Sequence, residues 1–200
     1  MSDRVQFFHG IGSRYSYLAS TQIAALERDT GCTVEWIPIN STLLLARRGA
    51  SPFVGDPVSG QYDWAYREED GRRWAAYYGV PFHEPRGRVT FDPQLVALAA
   101  VAGARLGKAP ELCRALFSAM FAEASVTLID EAECLRRASA CGIPDFGKAL
   151  QDPATAEAHE RHLARALDLG VFGVPTFVSG KESFWGNDRL VLLRHHLRNR

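Results

Sequence analysis

The sequence predicts an α/β protein whose two ends build one sheet and whose middle is helical. Three observations predict this class. A helical pattern separates two β-type runs near the start, aspartate-proline pairs mark helix starts in the middle, and two more β-type runs precede a terminal amphipathic helix. The order along the chain is therefore βαβ, helices, ββα.

The N-terminal segment predicts two strands joined by a helix. An apolar run over 5–8 predicts the first strand, and a helical pattern over 15–29 ends before Gly31, a residue typical of helix stops. Val34 and Trp36 then alternate with polar residues, as in a half-buried strand. Two strands joined through a helix of this length predict a parallel pair.

The middle predicts helices only. Aspartate-proline pairs at 92–93 and 152–153 place an N-cap before a first-turn proline, and Asp130, followed three residues later by glutamate, indicates a capping box. Four or more helices fit over 62–169. The stretch 43–61 is rich in glycine, proline and small residues, which predicts a long loop before them.

The last thirty residues predict a hairpin and a helix. The run over 176–178 is β-rich, the stretch 179–182 is typical of a turn, and 183–185 can pair back on 176–178. Asn187 or Asp188 is predicted to cap the terminal helix, because both residue types are favoured N-caps.

This order is that of a thioredoxin-like domain (βαβ…ββα) interrupted by an all-helical insertion. The thioredoxin-like part is predicted over 1–42 and 168–200. The loop and the helical insertion are predicted over 43–167.

Four segments carry a resemblance to a known family. They are SRYSYLA at 13–19, RRWAAYYGVPF at 72–82, GVFGVPTFV at 170–178 and FWGNDRL at 184–190. In this order they resemble the 2-hydroxychromene-2-carboxylate isomerases, of the DsbA-like group that also holds the kappa-class glutathione transferases.

The resemblance implies glutathione as cofactor and glutathione-dependent cis–trans isomerisation of an aromatic 2-oxo or 2-hydroxychromene-type carboxylic acid, in aromatic compound catabolism. It implies that Ser13 is catalytic and holds the glutathione sulfur. It also implies a cis proline whose preceding backbone pairs with the peptide. The implied glutathione contacts are Ser13, Val174, Pro175, Trp185, Gly186, Asn187 and Asp188.

The residues alone leave the role of Ser13 open. Serine is a favoured N-cap, so a purely structural role is the ordinary expectation at a helix start. The same position can serve a thiolate, because a hydroxyl and the unpaired N–H groups of the first turn both favour negative charge. The resemblance favours the catalytic role.

The chain departs from the family pattern at the mouth of this site. Relatives commonly have Asp-Phe-x-Ser-Pro, where this chain has Gly-Ile-Gly-Ser-Arg over 10–14. Two roles are open for Arg14, one favouring a thiolate or an acidic substrate and one merely solvated. For the substrate carboxylate the weak candidates are Arg47, Arg48 and Arg88.

The amino-acid composition limits the classes of binding partner that we expect. The 23 basic and 23 acidic side chains balance, which disfavours nucleic acid and anionic lipid and favours a small-molecule partner, here an aromatic acid. No segment reads as a secretory signal or a membrane span, which predicts a cytoplasmic protein. The four cysteines predict reduced, structural thiols. A homodimer is left open.

Other features receive structural interpretations. His159 and His162 are predicted to lie on a solvated helix face and not to bind metal. The aromatic residues Trp64, Trp74 and those at 77–78 are predicted to pack the insertion, although one or two are candidates for lining the cleft. Two other functions remain open, namely a kappa-like transferase that conjugates an electrophile and a non-catalytic glutathione or peptide binder.

Overall fold

The computed structural model describes residues 4–49 and 63–199. Within them, the strands are β1 (Arg4–His9), β2 (Thr33–Pro38), β3 (Thr90–Phe91), β4 (Leu128–Ile129), β5 (Thr176–Ser179) and β6 (Glu182–Trp185). The helices are α1 (Arg14–Ser20), α2 (Ile23–Thr30), α3 (Ser41–Arg48), α4 (Trp64–Tyr78), α5 (Pro93–Arg105), α6 (Ala109–Phe117), α7 (Glu131–Ala140), α8 (Phe146–Gln151), α9 (Pro153–Asp168) and α10 (Leu190–Arg198). A π-helical turn, Ser118–Ala122, follows α6, and a 3₁₀ turn, Asn187–Arg189, precedes α10.

The main sheet joins the two ends of the chain, as predicted. Its strand order is β2-β1-β5-β6, with β1 parallel to β2 and the other pairs antiparallel. In the central strand, Phe7 pairs with Trp36 on one side and with Phe177 on the other. The fold is thioredoxin-like, and the sheet places the end of β1 beside the residues that precede β5.

Adjacent residues of β1 serve different halves of the core, because strand side chains alternate between faces. Phe8 belongs to a small buried cluster with Leu44 of α3 and Leu163 of α9. Phe7 belongs to the larger cluster, which continues through α1, α2 and α10 into the helices of the insertion. The predicted domain boundaries stay a prediction, but α9, assigned to the insertion, packs directly on the sheet.

Two predictions about the middle are wrong. The insertion contains two short parallel strands, β3 and β4, so it is not built of helices only. Helix α3 covers residues 43–48 of the predicted loop, because Asn40 caps its start by accepting bonds from the N–H groups of Thr42 and Leu43. The part of the predicted loop over 50–61 lies outside the described residues.

The predicted helix over 15–29 is two helices. Side chains at the break bond back to the preceding turn: the Ser20 hydroxyl donates to the carbonyl of Tyr17 at 2.6 Å, and that of Thr21 donates to Leu18 at 2.7 Å. Such local bonds compete with the helical ladder and end α1 early.

The predicted aspartate caps are confirmed. Asp92, Asp130 and Asp152 each accept a backbone N–H bond at the starts of α5, α7 and α9. The four cysteines are free thiols, three of them buried. Every helix in residues 4–49 and 63–199 is too short or too polar to cross a bilayer.

Candidate active site at the start of helix α1

Ser13 stands at the turn between β1 and α1. Its backbone is extended, and its hydroxyl oxygen accepts from the Ser16 N–H at 3.2 Å, so the predicted capping role is confirmed. The same hydroxyl donates to the Val174 carbonyl at 3.5 Å. This second bond is long for a hydroxyl donor, which usually lies near 2.7–2.8 Å from its acceptor. Within the protein, the Ser13 hydroxyl proton therefore makes only a weak hydrogen bond.

The Val174–Pro175 peptide bond is cis, as the family resemblance implies. Both backbone groups of Val174 were expected to be free for a ligand. The carbonyl receives the long bond from Ser13, whereas the N–H donates to none of the described residues. One open donor thus lies beside the Ser13 hydroxyl, at the end of the sheet.

The turn that follows β6 is tied to this loop. The Gly186 N–H donates to the Pro175 carbonyl at 2.9 Å. Gly186 has a φ of 112°, a conformation that favours glycine, and the Asp188 carboxylate lies over the space that a side chain would fill. Trp185 packs its ring against Phe172, with centroids 4.9 Å apart. The Val174–Pro175 loop thus connects Ser13 to the turn at Gly186, while the glutathione contacts assigned to these residues stay a prediction.

Asn187 and Asp188 do not cap the terminal helix, so that prediction is wrong. Neither the 3₁₀ turn nor α10 has a side-chain cap. Asn187 is only 3% exposed and exchanges bonds with Tyr78, whose hydroxyl donates to the Asn187 carbonyl at 3.3 Å and accepts from its amide. Burial raises the pKa of Tyr78. Asp188 is partly exposed and pairs with Arg189 at 2.9 Å.

A cleft of about 720 Å³ opens from this turn. It runs between α4 and α10, and its wall includes Asn187 and Asp188 but not Ser13. Trp74, Tyr77 and Tyr78 line it as well, so three of the four aromatic candidates border the cleft. The cleft therefore opens at the part of the site that Asn187 and Asp188 form, and not at Ser13.

Arg14 is buried, which excludes the solvated role considered for it. Its guanidinium bonds to the Glu84 carboxylate at 3.0 Å. Burial lowers the pKa of Arg14, and the Glu84 charge opposes that effect. No local sequence pattern indicates this partner, because 70 residues separate the two along the chain.

The three arginines considered for the substrate carboxylate have partners within the protein. Arg47 forms two bonds with the Glu160 carboxylate, and Arg48 donates to the Val171 carbonyl at 3.2 Å. The Arg88 guanidinium donates to five backbone carbonyls, at 2.7–3.3 Å. The structure does not bring any of the three into contact with Ser13 or with its Val174 partner, and Arg88 has no donor left for a ligand.

The prediction of a solvated face for His159 and His162 is wrong. The Nε2 atom of His159 accepts from the Asn40 N–H at 3.0 Å, and burial lowers the pKa of this residue to about 4. The Nδ1 atom of His162 lies 3.0 Å from the Pro38 carbonyl oxygen. Both rings anchor α9 to the end of β2, so they are structural.

Comparison with known proteins identifies the family. A profile of the DSBA-like thioredoxin domain matches residues 4–198. The chain belongs to the DSBA-like thioredoxin domain family. Among solved structures, the cytosolic disulfide reductase DsbM from Pseudomonas aeruginosa shares the fold, with a TM-score of 0.65 at 18% identity over 98% of this chain and all of that one.

Other relatives carry an isomerase name. The 2-hydroxychromene-2-carboxylate isomerase of Pseudomonas putida is 26% identical over 94% of this chain and 91% of its own, and that of Sphingobium xenophagum is 27% identical over 98% and 99%. A solved 2-hydroxychromene-2-carboxylate isomerase superposes with a TM-score of 0.81 at 25% identity, covering 97% of this chain and 94% of that one. These relatives support an isomerase role for this DSBA-like protein.

Proposed function

We propose that this protein is a glutathione-dependent cis–trans isomerase of an aromatic 2-oxo or 2-hydroxychromene-type carboxylic acid, in which Ser13 positions the glutathione thiolate. The observation that carries the proposal is the contact of the Ser13 hydroxyl with the cis Val174–Pro175 loop, which leaves the Val174 N–H open beside it. The named isomerases that resemble the chain along 94–98% of its length support the reaction class.

The residues present fit a tripeptide thiol. The open Val174 N–H can pair with the backbone of an extended peptide, as an added strand pairs with a sheet edge. The partly exposed Asp188 carboxylate offers a charged acceptor for an ammonium group. Gly186, with no side chain, lets the Asp188 carboxylate lie close to the backbone between these two groups.

The chemistry at the sulfur rests on the start of α1. A free thiol has a pKa near ~8.5, so only a few per cent is ionised at neutral pH. A hydroxyl donor and the positive end of a helix dipole both favour the ionised form. Bound glutathione would supply a nucleophile that adds reversibly to a conjugated carbon and leaves after rotation. Ser13 can turn its proton to that sulfur by giving up only the long bond to Val174.

A binding and turnover experiment tests the proposal. Titration with glutathione should raise the stability of the native protein, by about 2.7 kcal/mol at a ligand concentration of ~100 Kd. Isomerisation of 2-hydroxychromene-2-carboxylate, followed by absorbance, should require glutathione. S-methylglutathione should bind but support no turnover, because its sulfur cannot ionise.

Three outcomes would contradict the proposal. They are turnover without glutathione, no binding at millimolar glutathione, and binding without isomerisation. A stable thioether product instead of an isomer would identify the conjugating transferase.

A further inference from the structure

Three guanidinium groups surround one indole ring at the start of α4. Trp64 is 48% exposed, and the guanidinium carbons of Arg14, Arg67 and Arg86 lie 5.4, 5.3 and 4.7 Å from its ring centroid. Arg67 also lies 5.9 Å from the Tyr15 ring. Cation–π contacts of this kind hold flexible side chains in place. We call these three arginines with Trp64 the arginine–indole cluster.

The cluster carries more positive than negative charge. Glu84 pairs with Arg14, but Arg67 and Arg86 form no ion pair with any of residues 4–49 or 63–199. Elsewhere on α4 the pattern is different, since Arg72 and Arg73 are both paired with acidic residues of their own helix. The neighbouring Asp70 accepts a bond from the Tyr15 hydroxyl, at 2.8 Å.

The buried ion pair between Arg14 of the cluster and Glu84 leaves some of its polar atoms without hydrogen bonds. The Nη1 atom of Arg14 and the Oε2 atom of Glu84 are both inaccessible to solvent, and neither meets a hydrogen-bonding partner within the described part of the chain. Buried polar atoms of this kind are rare in proteins, since each carries an uncompensated loss of hydration. Arg14 therefore has donor capacity that the described residues leave unused.

The cluster lies next to the candidate active site. Arg14 directly follows Ser13 and forms the first residue of α1. Helix α4 approaches it closely at Gly71, where a side chain would contact the Phe82 ring and the Arg14 stem. The start of α1 therefore carries the Ser13 hydroxyl and, one residue later, a member of the arginine–indole cluster.

We propose that Arg67 and Arg86, held by Trp64 beside Arg14, bind the carboxylate of the aromatic acid substrate. This inference rests on the proposed function for its substrate class. Guanidinium groups bind carboxylates with two parallel bonds, and side chains already restrained by an indole lose little freedom on binding. As candidates for binding the substrate carboxylate, Arg67 and Arg86 replace three earlier ones. The guanidinium groups of those three are hydrogen-bonded within the protein, namely Arg47, Arg48 and Arg88.

A binding experiment on the full chain tests the site separately from catalysis. The probe is 2-naphthoate, with 2-naphthamide as the uncharged analogue, titrated calorimetrically with and without saturating glutathione. Arg67→Gln and Arg86→Gln should each weaken 2-naphthoate about tenfold, the loss expected for one charged hydrogen bond, and leave 2-naphthamide unchanged. Arg161→Gln is the control, because Arg161 is an exposed arginine of α9.

Turnover measurements show whether the cluster binds the carboxylate of the substrate or those of glutathione. In the isomerase assay, the Arg67 and Arg86 variants should raise KM about tenfold while the glutathione Kd stays unchanged. Weaker glutathione binding with an unchanged KM would assign the cluster to the carboxylates of glutathione and overturn the proposal. Equal 2-naphthoate affinity in all variants, under both conditions, would overturn it too. The arm without glutathione gives its result even if the proposed isomerisation fails.

Discussion

Arg14 and Arg137 are equally buried, each 7% exposed, but their surroundings differ. Arg137 donates three short bonds to two carboxylates, those of Glu123 at 2.5 and 2.6 Å and that of Glu133 at 2.8 Å. Arg14 donates one bond to Glu84, at 3.0 Å. The pKa of Arg137 is raised, chiefly by the bonds that it donates to Glu123, whereas burial lowers the pKa of Arg14.

The difference separates a structural ion pair from one suited to a ligand. When a buried guanidinium has its donors satisfied, it fixes the elements around it and has little to offer a further acceptor. The Arg137 network joins α7 to the segment that follows the π-helical turn. The start of α1 retains spare donors on Arg14 and on the Val174 backbone, together with the weakly hydrogen-bonded Ser13 proton.

The largest expected effect is on catalysis at Ser13. Ser13→Ala should lower glutathione-dependent turnover about a hundredfold, the scale seen when a donor to a developing anion is removed. The same change should cost about 1 kcal/mol of stability through the lost cap. Ser13→Asp should restore the cap and melt near the wild type, yet stay inactive because its charge repels a thiolate. Melting curves and turnover rates of both variants check this. If both remain active, Ser13 is only a cap.

On the structural side of the comparison, Arg137→Met should destabilise the protein by about 2–3 kcal/mol, because it leaves two carboxylates without their buried partner. Glutathione affinity should not change. Arg136→Met is the matched control, since Arg136 shares the partner Glu133 but is exposed, and it should cost less than about 0.5 kcal/mol. Denaturant unfolding measures both. Equal losses in the two variants would contradict the distinction drawn between them.

Asp188→Asn should weaken glutathione by about 1.5 kcal/mol, the lower end for a charged hydrogen bond, because Asp188 is partly exposed. Since Asp188 caps neither the 3₁₀ turn nor α10, the melting temperature should stay the same. Calorimetric titration of the variant measures the affinity. Asp168→Asn, at the exposed end of α9, should bind like the wild type. Unchanged affinity in Asp188→Asn would remove this residue from the site.

Acid should weaken the Arg137 network. Its bonds lower the pKa of Glu123 from 4.5 to about 2. A group whose pKa is depressed by folding contributes stability that is complete above its unfolded pKa and is lost as pH falls, here from 4.5 towards about 2. Unfolding free energies should therefore fall less steeply over this range in Glu123→Gln. Buried His9 and His159, with lowered pKa values, act equally in both proteins, so the difference isolates Glu123. Parallel profiles would contradict this prediction.

The smallest expected effect is on the stability supplied by the Arg14 pair. The double variant Arg14→Met with Glu84→Gln should change the unfolding free energy by less than about 1 kcal/mol, because replacing both members of an incompletely bonded buried pair is often neutral. Denaturant unfolding beside Arg137→Met makes the comparison direct. A loss as large as that of Arg137→Met would show that the Arg14 pair is as structural as the Arg137 network.

Features that depend on neighbours in sequence were predictable. The caps at Asp92, Asp130 and Asp152 are local, because a side chain reaches an N–H two or three residues away. The order of elements along the chain, with βαβ at one end and ββα at the other, followed from the periodicity of the two ends. The convergence of Ser13 with the Val174–Pro175 loop followed from the family resemblance and not from local signals, since 161 residues separate the bonded atoms.

Features that depend on distant partners were not predictable. The polar composition of α9 suggested solvent around His159, but α9 packs on the sheet and turns that ring towards the Asn40 N–H. Asn187 and Asp188 are residue types that favour N-cap positions. Asn187 is nevertheless buried, where it is hydrogen-bonded to Tyr78. Arg14 and Arg88 gave no sequence signal for their burial or their partners.

The five carbonyl bonds of Arg88 couple two distant stretches mechanically. They join the carbonyls of His83 and Glu84 to those of Met120, Glu123 and Val126, around the end of the π-helical turn. Glu84 in turn holds Arg14, so the position of that guanidinium is set partly by the end of a helix nearly forty residues further along. Selection for a different acid substrate could therefore move the Arg14 guanidinium through packing changes behind the π-helical turn. No residue that contacts the substrate would need to be replaced.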